Sequence, residues 1–347
     1  MLFGSKGNKN INETKIAECI GHFFELPTPS VKSWIKVIKA GVEDGVKVTL
    51  PFAAKSLHQE LIKQIKLSTQ NETLIISIDT HITPVPTKIA QIPNIKNVIA
   101  VASGKGGVGK STTSVNLAFA LMAEGARVGL LDADIYGPSI PIMLGNPTSK
   151  PSSQDNKKVD PLSSHGVVAS SIGYFVPAED ATVWRGPMAS KALHQLINET
   201  AWPELDYLIV DMPPGTGDIQ LTMAQQVPLS GAVVVTTPQD LALADAIKGI
   251  AMFKKVNIPV LGLVENMSYH QCSQCGHKEA IFSDLGGDKL SKKYNLPLLG
   301  KLPLNIDIRQ HADNGEPIQI SNPQHPLSET YRQLARQTAK YCYLKST

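Results

Sequence analysis

The feature that restricts this chain most is Gly104-Lys105-Gly106-Gly107-Val108-Gly109-Lys110-Ser111, which follows the apolar run VIAVAS and opens an apolar-periodic segment ending at Gly125. Strand, glycine-rich turn and helix in that order make a phosphate-binding loop. Glycines let backbone N–H groups curl around an anion, and the helix N-terminus faces it. Lys110 supplies a point charge to β/γ oxygens and Ser111 can hold Mg²⁺. The nucleotide-contacting set is therefore read as Gly104 through Thr112. Lys105 lies inside the loop, where a plain phosphate loop does not require a lysine.

The segments after it set the fold class. RVGLLDAD, DYLIVDMPP, GAVVVTTP, VLGLVENM and LLGKLPL are short, nearly continuous apolar runs alternating with helical ones. Runs without polar alternation suit strands buried on both faces, hence an α/β architecture with a mostly parallel sheet flanked by helices. Ligands in such sheets sit at the carboxyl ends of strands, and there the polar residues of these runs cluster. Asp132 and Asp134 close one strand. Asp211 closes another before a Pro/Gly loop, where an aspartate helps hold Mg²⁺ through Ser111 or water. Capping or turn formation is the plainer role for each.

A different unit precedes this one. Residues 11–26 place Ile16, Ile20, Phe23 and Phe24 at helical spacing, and WIKVIKAGVEDGVKVTLPF has two apolar runs flanking Glu43-Asp44-Gly45, the composition of a β-hairpin. A helix over 56–67 and a strand over 73–78 complete a small α+β domain, 1–82. Residues 83–96 carry Pro84, Pro86 and Pro93 without a helical or strand period, and read as a linker. The phosphate-loop domain is then 97–347.

Two of the four cysteines, Cys272 and Cys275, lie in HQCSQCGH (270–277). No second such pair exists, while a tetrahedral thiolate site needs four donors. From spacing alone the pair is a zinc half-site, a redox pair, an inert turn or half of a cluster site, and His270 and His277 could complete a Cys₂His₂ zinc site. Cys19 and Cys342 read as ordinary packing residues. Four cysteines are too few for a disulfide framework, which fits a reducing compartment. The amino terminus lacks a secretory apolar core and no apolar run reaches about 18 residues, so a soluble, cytoplasmic protein with no membrane partner is expected. The net charge is only +3, with 12 lysines against 8 acidic residues in 1–96. Neither part has the excess expected of a nucleic-acid binder.

KGGVGKS resembles the deviant P-loop of the class that includes septum-site and plasmid-partition ATPases and the nitrogenase iron protein. In that class the extra lysine, here Lys105, reaches across a nucleotide-sandwiched homodimer to the partner's phosphates. The match extends to LLDADIYGPSIPIMLG, VWRGPM, DYLIVDMPPGTGD, VVVTTPQD, VENMS and the two-cysteine stretch, which together resemble bacterial Mrp/ApbC proteins, P-loop ATPases that carry iron–sulfur clusters to apoproteins. The resemblance implies that Asp134 orients the attacking water, that Gly215-Thr216-Gly217-Asp218 is a γ-phosphate switch and that Asn266 reads the adenine edge. It also implies that Cys272 and Cys275, with the same pair of a second subunit, hold a bridging, labile [4Fe-4S] cluster. Trp184 and Arg185 could touch the nucleotide or the partner, or serve only the loop. The family's small domain often has a cysteine after its hairpin; LPFAAKS has none.

The expectation is an ATP-dependent, homodimeric cluster carrier with slow hydrolysis by Lys105, Lys110, Asp134 and Asp211, serving apoproteins and scaffold proteins. The same switch could instead drive membrane or DNA positioning, or the chain could be a cluster-bearing reductase. A positioning module would carry a basic face and give the cysteine pair no role.

Overall fold

The computed structural model describes residues 11–40, 43–153, 157–176, 186–272 and 274–346. The chain forms two compact units, one ending at Ile82 and one beginning at Thr83.

In the first unit the helices Glu13–Phe24 and His58–Thr69 accompany three strands, β1 (Ile35–Ala40), β2 (Glu43–Leu50) and β3 (Ile75–Thr80). β1 pairs with β2 antiparallel and β2 with β3 parallel. Ile16 and Ile20 meet Val46, Val48, Leu50, Leu61 and Ile65 in a fully buried core. Phe24, Trp34 and Phe52 close it with edge-to-face contacts at 5.2–6.4 Å between ring centroids. Glu43-Asp44-Gly45 does not form the turn expected from the sequence. Ala40 already pairs with Glu43, so the three residues lie inside β2, in the register that sends Val46, Val48 and Leu50 inward. The residues between the strands, 41 and 42, lie outside the described set.

The second unit contains an eight-stranded sheet. Its strands are β4 (Ile95–Ser103), β5 (Val128–Asp132), β6 (Leu162–Ser164), β7 (Val167–Ser171), β8 (Leu205–Asp211), β9 (Gly231–Thr236), β10 (Val260–Glu265) and, beyond the two-stranded ladder β11 (His270–Gln271) and β12 (Lys278–Glu279), β13 (Leu298–Lys301). The order is β13-β10-β9-β4-β8-β5-β7-β6, parallel throughout except for the β6–β7 pair. Residues of β4, β8 and β9 alternate between the two faces. Val98, Ala100, Ala102, Leu208, Val210, Ala232 and Val234 share one core with the helices Gly186–Asn198, Asp218–Gln226 and Asp240–Lys255. The helices Lys110–Ala123 and Pro326–Tyr343 pack together. In the latter, Tyr331, Leu334, Thr338, Cys342 and Tyr343 lie on the buried face. Burial pushes the Cys342 thiol up to about 12.

Residues 83–96 are part of this unit. Val85 and Ile92 are buried, the Val85 amide donates to Asn97 Oδ1, and Asn97 Nδ2 donates to Thr83 O. Ile95 already belongs to β4, opposite Leu205. Prolines remove backbone donors without preventing burial, so their density alone was a poor sign of a free linker.

Candidate functional site

β4 lies where the winding reverses: the chain runs from β4 to β5 on one flank and later crosses from β8, on that same flank, to β9 and β10 on the other. The crevice at such a reversal is where parallel sheets bind ligands. The carboxyl ends of β4, β5, β8, β9 and β10 bring Ser103, Asp132, Asp211, Thr236 and Glu265 to one edge.

The phosphate loop sits there. Gly107 and Gly109 have φ of 79° and 80°, in the left-handed region that favours glycine. Gly104 is required for another reason: a Cβ there would collide with the backbone of Asp245. Gly106 has no such neighbour within 4 Å, so its bareness serves the space outside the loop. Thr112 lies half-buried in the first turn of the helix that begins at Lys110.

Beneath the loop the charges are already paired. Lys110, 6% exposed, puts Nζ 2.8 Å from Asp211 Oδ2 and 3.7 Å from Asp134 Oδ2. Ser111 Oγ donates to Asp211 Oδ2 and Ser114 Oγ to Asp211 Oδ1, both at 2.6 Å. A buried carboxylate is sustained only by such partners. Asp134 is held above its ordinary pKa by burial, opposed by Lys110. Asp132, fully buried, is pushed up to about 7 by desolvation and then by the neighbouring Asp211. It accepts from Ser171 Oγ at 2.9 Å and from the Ile140 and Asp134 amides at 3.2 Å, and so fixes the turn that carries Asp134. The hydroxyl of Ser111 beside carboxylates is a hard oxygen donor set that fits Mg²⁺.

Lys105 is half-buried, and its ammonium makes no ion pair among the described residues. Gly215, with φ 98°, donates its amide to Ser103 O at 3.0 Å, which sets the 215–217 segment beside the loop. Asn266 is placed against the loop itself: its Nδ2 donates to Val108 O at 2.9 Å. Trp184 and Arg185 lie outside the described residues.

The cysteines occupy a separate, exposed knuckle. β11 and β12 pair antiparallel, His270 with Glu279 and Gln271 with Lys278. Inside this ladder the Cys272 amide donates to His277 O and the Gly276 amide to Cys272 O, both at 2.9 Å, with Gly276 at φ 71°. Cys272 is half-buried and Cys275 exposed. Hydrogen bonds from the Cys275 and Gln274 amides hold the Cys272 thiol below its ordinary pKa. His270 Nδ1 lies 3.3 Å from Glu279 Oε1 across the ladder. Among the described residues no three His, Cys, Asp or Glu side chains gather as a metal site, so the single chain offers the two thiols and no Cys₂His₂ set.

Three contributors were not foreseen. Ser114 follows Ser111 on one helical face, a spacing legible in the sequence. Ser171 closes β7 with a hydroxyl, and Glu265 ends β10 with an acid, which the rule about polar strand ends could have flagged. Glu265 is fully buried; Ser268 Oγ donates to its Oε1 at 2.5 Å and the Gly287 amide to its Oε2.

The comparisons agree with this geometry. Residues 94–339 match the model of a ParA-type family described as NUBPL iron-transfer P-loop NTPase. The chain is 54% identical over 304 residues to an iron–sulfur cluster carrier protein of Escherichia coli, covering 86% of this chain and 82% of that one. It is 49% identical over 254 residues to the mouse iron–sulfur cluster transfer protein NUBPL, covering 72% and 78%. Among solved structures, a nucleotide-binding protein of Archaeoglobus fulgidus in complex with ADP aligns with a TM-score of 0.60 at 35% identity, covering 69% of this chain and 93% of that one. The cell division ATPase MinD of Pyrococcus furiosus shares the fold, with a TM-score of 0.52 at 21% identity over 70% of this chain and 98% of its own. With the strand-end carboxylates, the paired lysine and the family match in agreement, the chain belongs to the NUBPL iron-transfer P-loop NTPases.

Proposed function

We propose that this chain is an ATP-dependent carrier that, as a homodimer, holds a labile [4Fe-4S] cluster between two Cys272/Cys275 pairs and passes it to apoproteins. The cluster, its cargo, comes from scaffold proteins. The reading rests on the exposed cysteine knuckle: two thiols, one with a depressed pKa, and no further ligand group beside them among the described residues. Two thiolates leave a cluster short of four ligands, so a second copy completes it. The relatives named as carrier and transfer proteins support the same class of cargo. No helix among the described residues is long and apolar enough to cross a membrane.

At the phosphate site Lys110 exchanges its carboxylate partners for the β/γ oxygens of ATP. Asp211 keeps hold of Ser111 Oγ, the hydroxyl that would bind Mg²⁺. Bound there, Mg²⁺ neutralises charge on the phosphates. Asp134 orients the attacking water, and Lys105 reaches the phosphates bound by the other subunit. A carboxylate is a weak base, so hydrolysis is slow and suits a switch. Asn266, whose Nδ2 is committed to Val108 O, has Oδ1 left to accept from the adenine amino group.

The test replaces Cys272 and Cys275 with alanine. Nucleotide binding should persist, while anaerobic reconstitution should leave no iron, no sulfide and no cluster absorbance. Iron and sulfide content equal to the parent protein would sink the carrier reading.

A further inference from the structure

The two sites are joined by one short stretch of backbone. The Asn266 amide donates to Thr236 O at 2.8 Å, the Ser268 amide to Leu302 O at 2.9 Å and the Leu304 amide to Tyr269 O at 2.8 Å. His270 then bridges to Leu304 and starts β11, two residues before Cys272. Residues 265–270 thus run without slack from the sheet to the thiol knuckle.

Within that stretch two adjacent side chains point to opposite duties. Asn266 Nδ2 is bonded to Val108 O, and a Cβ on Gly109 would collide with that amide. Glu265 binds the other way. Its carboxylate takes the Ser268 hydroxyl and the Gly287 amide, and a Cβ on Gly287 would come within 2.7 Å of Oε2. Lys301 Nζ stands 3.9 Å from Oε1 while paired with Asp288 at 2.6 Å. Met267, which follows Glu265 and Asn266, has φ 53°, a left-handed conformation that a non-glycine residue keeps only where its surroundings hold it. The carboxylate of Glu265 spans that turn from 265 to 268.

We propose that Glu265 is a positioning residue that transmits occupancy of the phosphate loop to the cysteine knuckle, by locking the 265–268 turn between Val108 and Cys272. Coupling of this kind travels through contiguous bonded elements. The loop wraps the α/β phosphates, so a nucleoside diphosphate suffices to set it, and γ-phosphate is not needed. The inference rests on the carrier reading for the role of the thiols, but its test needs no cluster.

The experiment follows iodoacetamide alkylation of Cys272 and Cys275 by peptide mass spectrometry at one fixed pH. It uses reduced, cluster-free full-length protein carrying Cys19→Ser, with no nucleotide, saturating ADP or saturating ATP with Mg²⁺. In the parent, ADP and ATP should each change the alkylation rate by about fivefold or more, the size usual for linked sites. Glu265→Ala should bring that ratio close to one with nucleotide still bound. Glu265→Gln should restore it, since the amide can accept from the Gly287 N–H and donate to Ser268 Oγ. Where Glu265→Ala does not fold, Ser268→Ala decides by the same ratio. A parent without nucleotide response, a response to ATP but not ADP, or a ratio unchanged in Glu265→Ala overturns the proposal; an ATP-only response reports subunit closure instead. Failure of the carrier reading is distinct: reconstitution yields no cluster whatever the alkylation ratio.

Discussion

The phosphate site and the cysteine knuckle are built on opposite terms. Around Asp211 three side chains, Lys110, Ser111 and Ser114, are bonded within 2.8 Å. Around Cys272 the order comes from amides of the same short loop, a two-pair ladder and exposed polar side chains such as His270 and Glu279, and Cys275 is exposed. Burial makes the first site rigid and expensive to alter. Exposure leaves the second easy to alter and open to exchange, as the proposed cargo site requires.

Substitutions should reproduce that contrast. Asp211→Ala should have the largest effect on the fold: it strips Lys110 of its closest anion and removes the acceptor that Ser111 Oγ and Ser114 Oγ share, at a cost of about 3–5 kcal/mol in denaturant titration. Stability within experimental error of the parent would show that the pairing is not structural. Lys110→Ala should lower ATP hydrolysis by about 10²–10³-fold, the usual loss when a charge-stabilising donor is removed. An unchanged rate would place the chemistry elsewhere.

Next come the glycines. Gly104→Ala should cost roughly 1–3 kcal/mol, because its Cβ meets Asp245 backbone, whereas Gly106→Ala should leave the thermal midpoint in place and weaken only nucleotide binding. Equal melting curves for the two variants would contradict the packing argument.

The pH dependence has a definite sign. Asp132 carries a folded pKa of about 7, above its unfolded value of 3.8. Between those values the folded protein binds more protons than the unfolded chain, so this group makes stability fall as pH rises from about 4 to 7. Asp132→Asn should flatten the curve in that window, by up to about 4 kcal/mol. A curve of unchanged slope would remove Asp132 from the account.

The smallest effect on stability belongs to the knuckle. Cys272→Ser with Cys275→Ser should shift unfolding by no more than about 0.5 kcal/mol, although it removes the two thiols proposed to hold the cargo. A loss comparable with that of Asp211→Ala would mean that the knuckle is a structural element and that the contrast is false.

Much of this was legible in one dimension. A strand, four glycines and Lys110-Ser111 specify a phosphate loop because the demands are local: φ angles, a helix start, a charge. Apolar runs without alternation specified a buried parallel sheet, and acids at their ends marked its ligand edge. Misreadings arose where local composition was overruled by partners far along the chain. Glu43-Asp44-Gly45 has turn chemistry, yet the inward register of Val46, Val48 and Leu50 draws it into β2. The proline-bearing 83–96 segment lacks a period, yet Asn97 binds its backbone and Val85 and Ile92 are buried.

The sequence by itself determined the nucleotide loop, the class of sheet and the shortage of donors at Cys272 and Cys275, since each depends on neighbours a few residues apart or on a simple count. Only the tertiary structure decided that Asp211 holds Ser111 and Ser114 from about a hundred residues away, and that Asn266 grips Val108 across 158 positions. It likewise decided that Glu265 ties the turn before the thiols to Gly287. Such bonds depend on which strands become neighbours, and strand order is set by the packing of the whole sheet rather than by any segment within it.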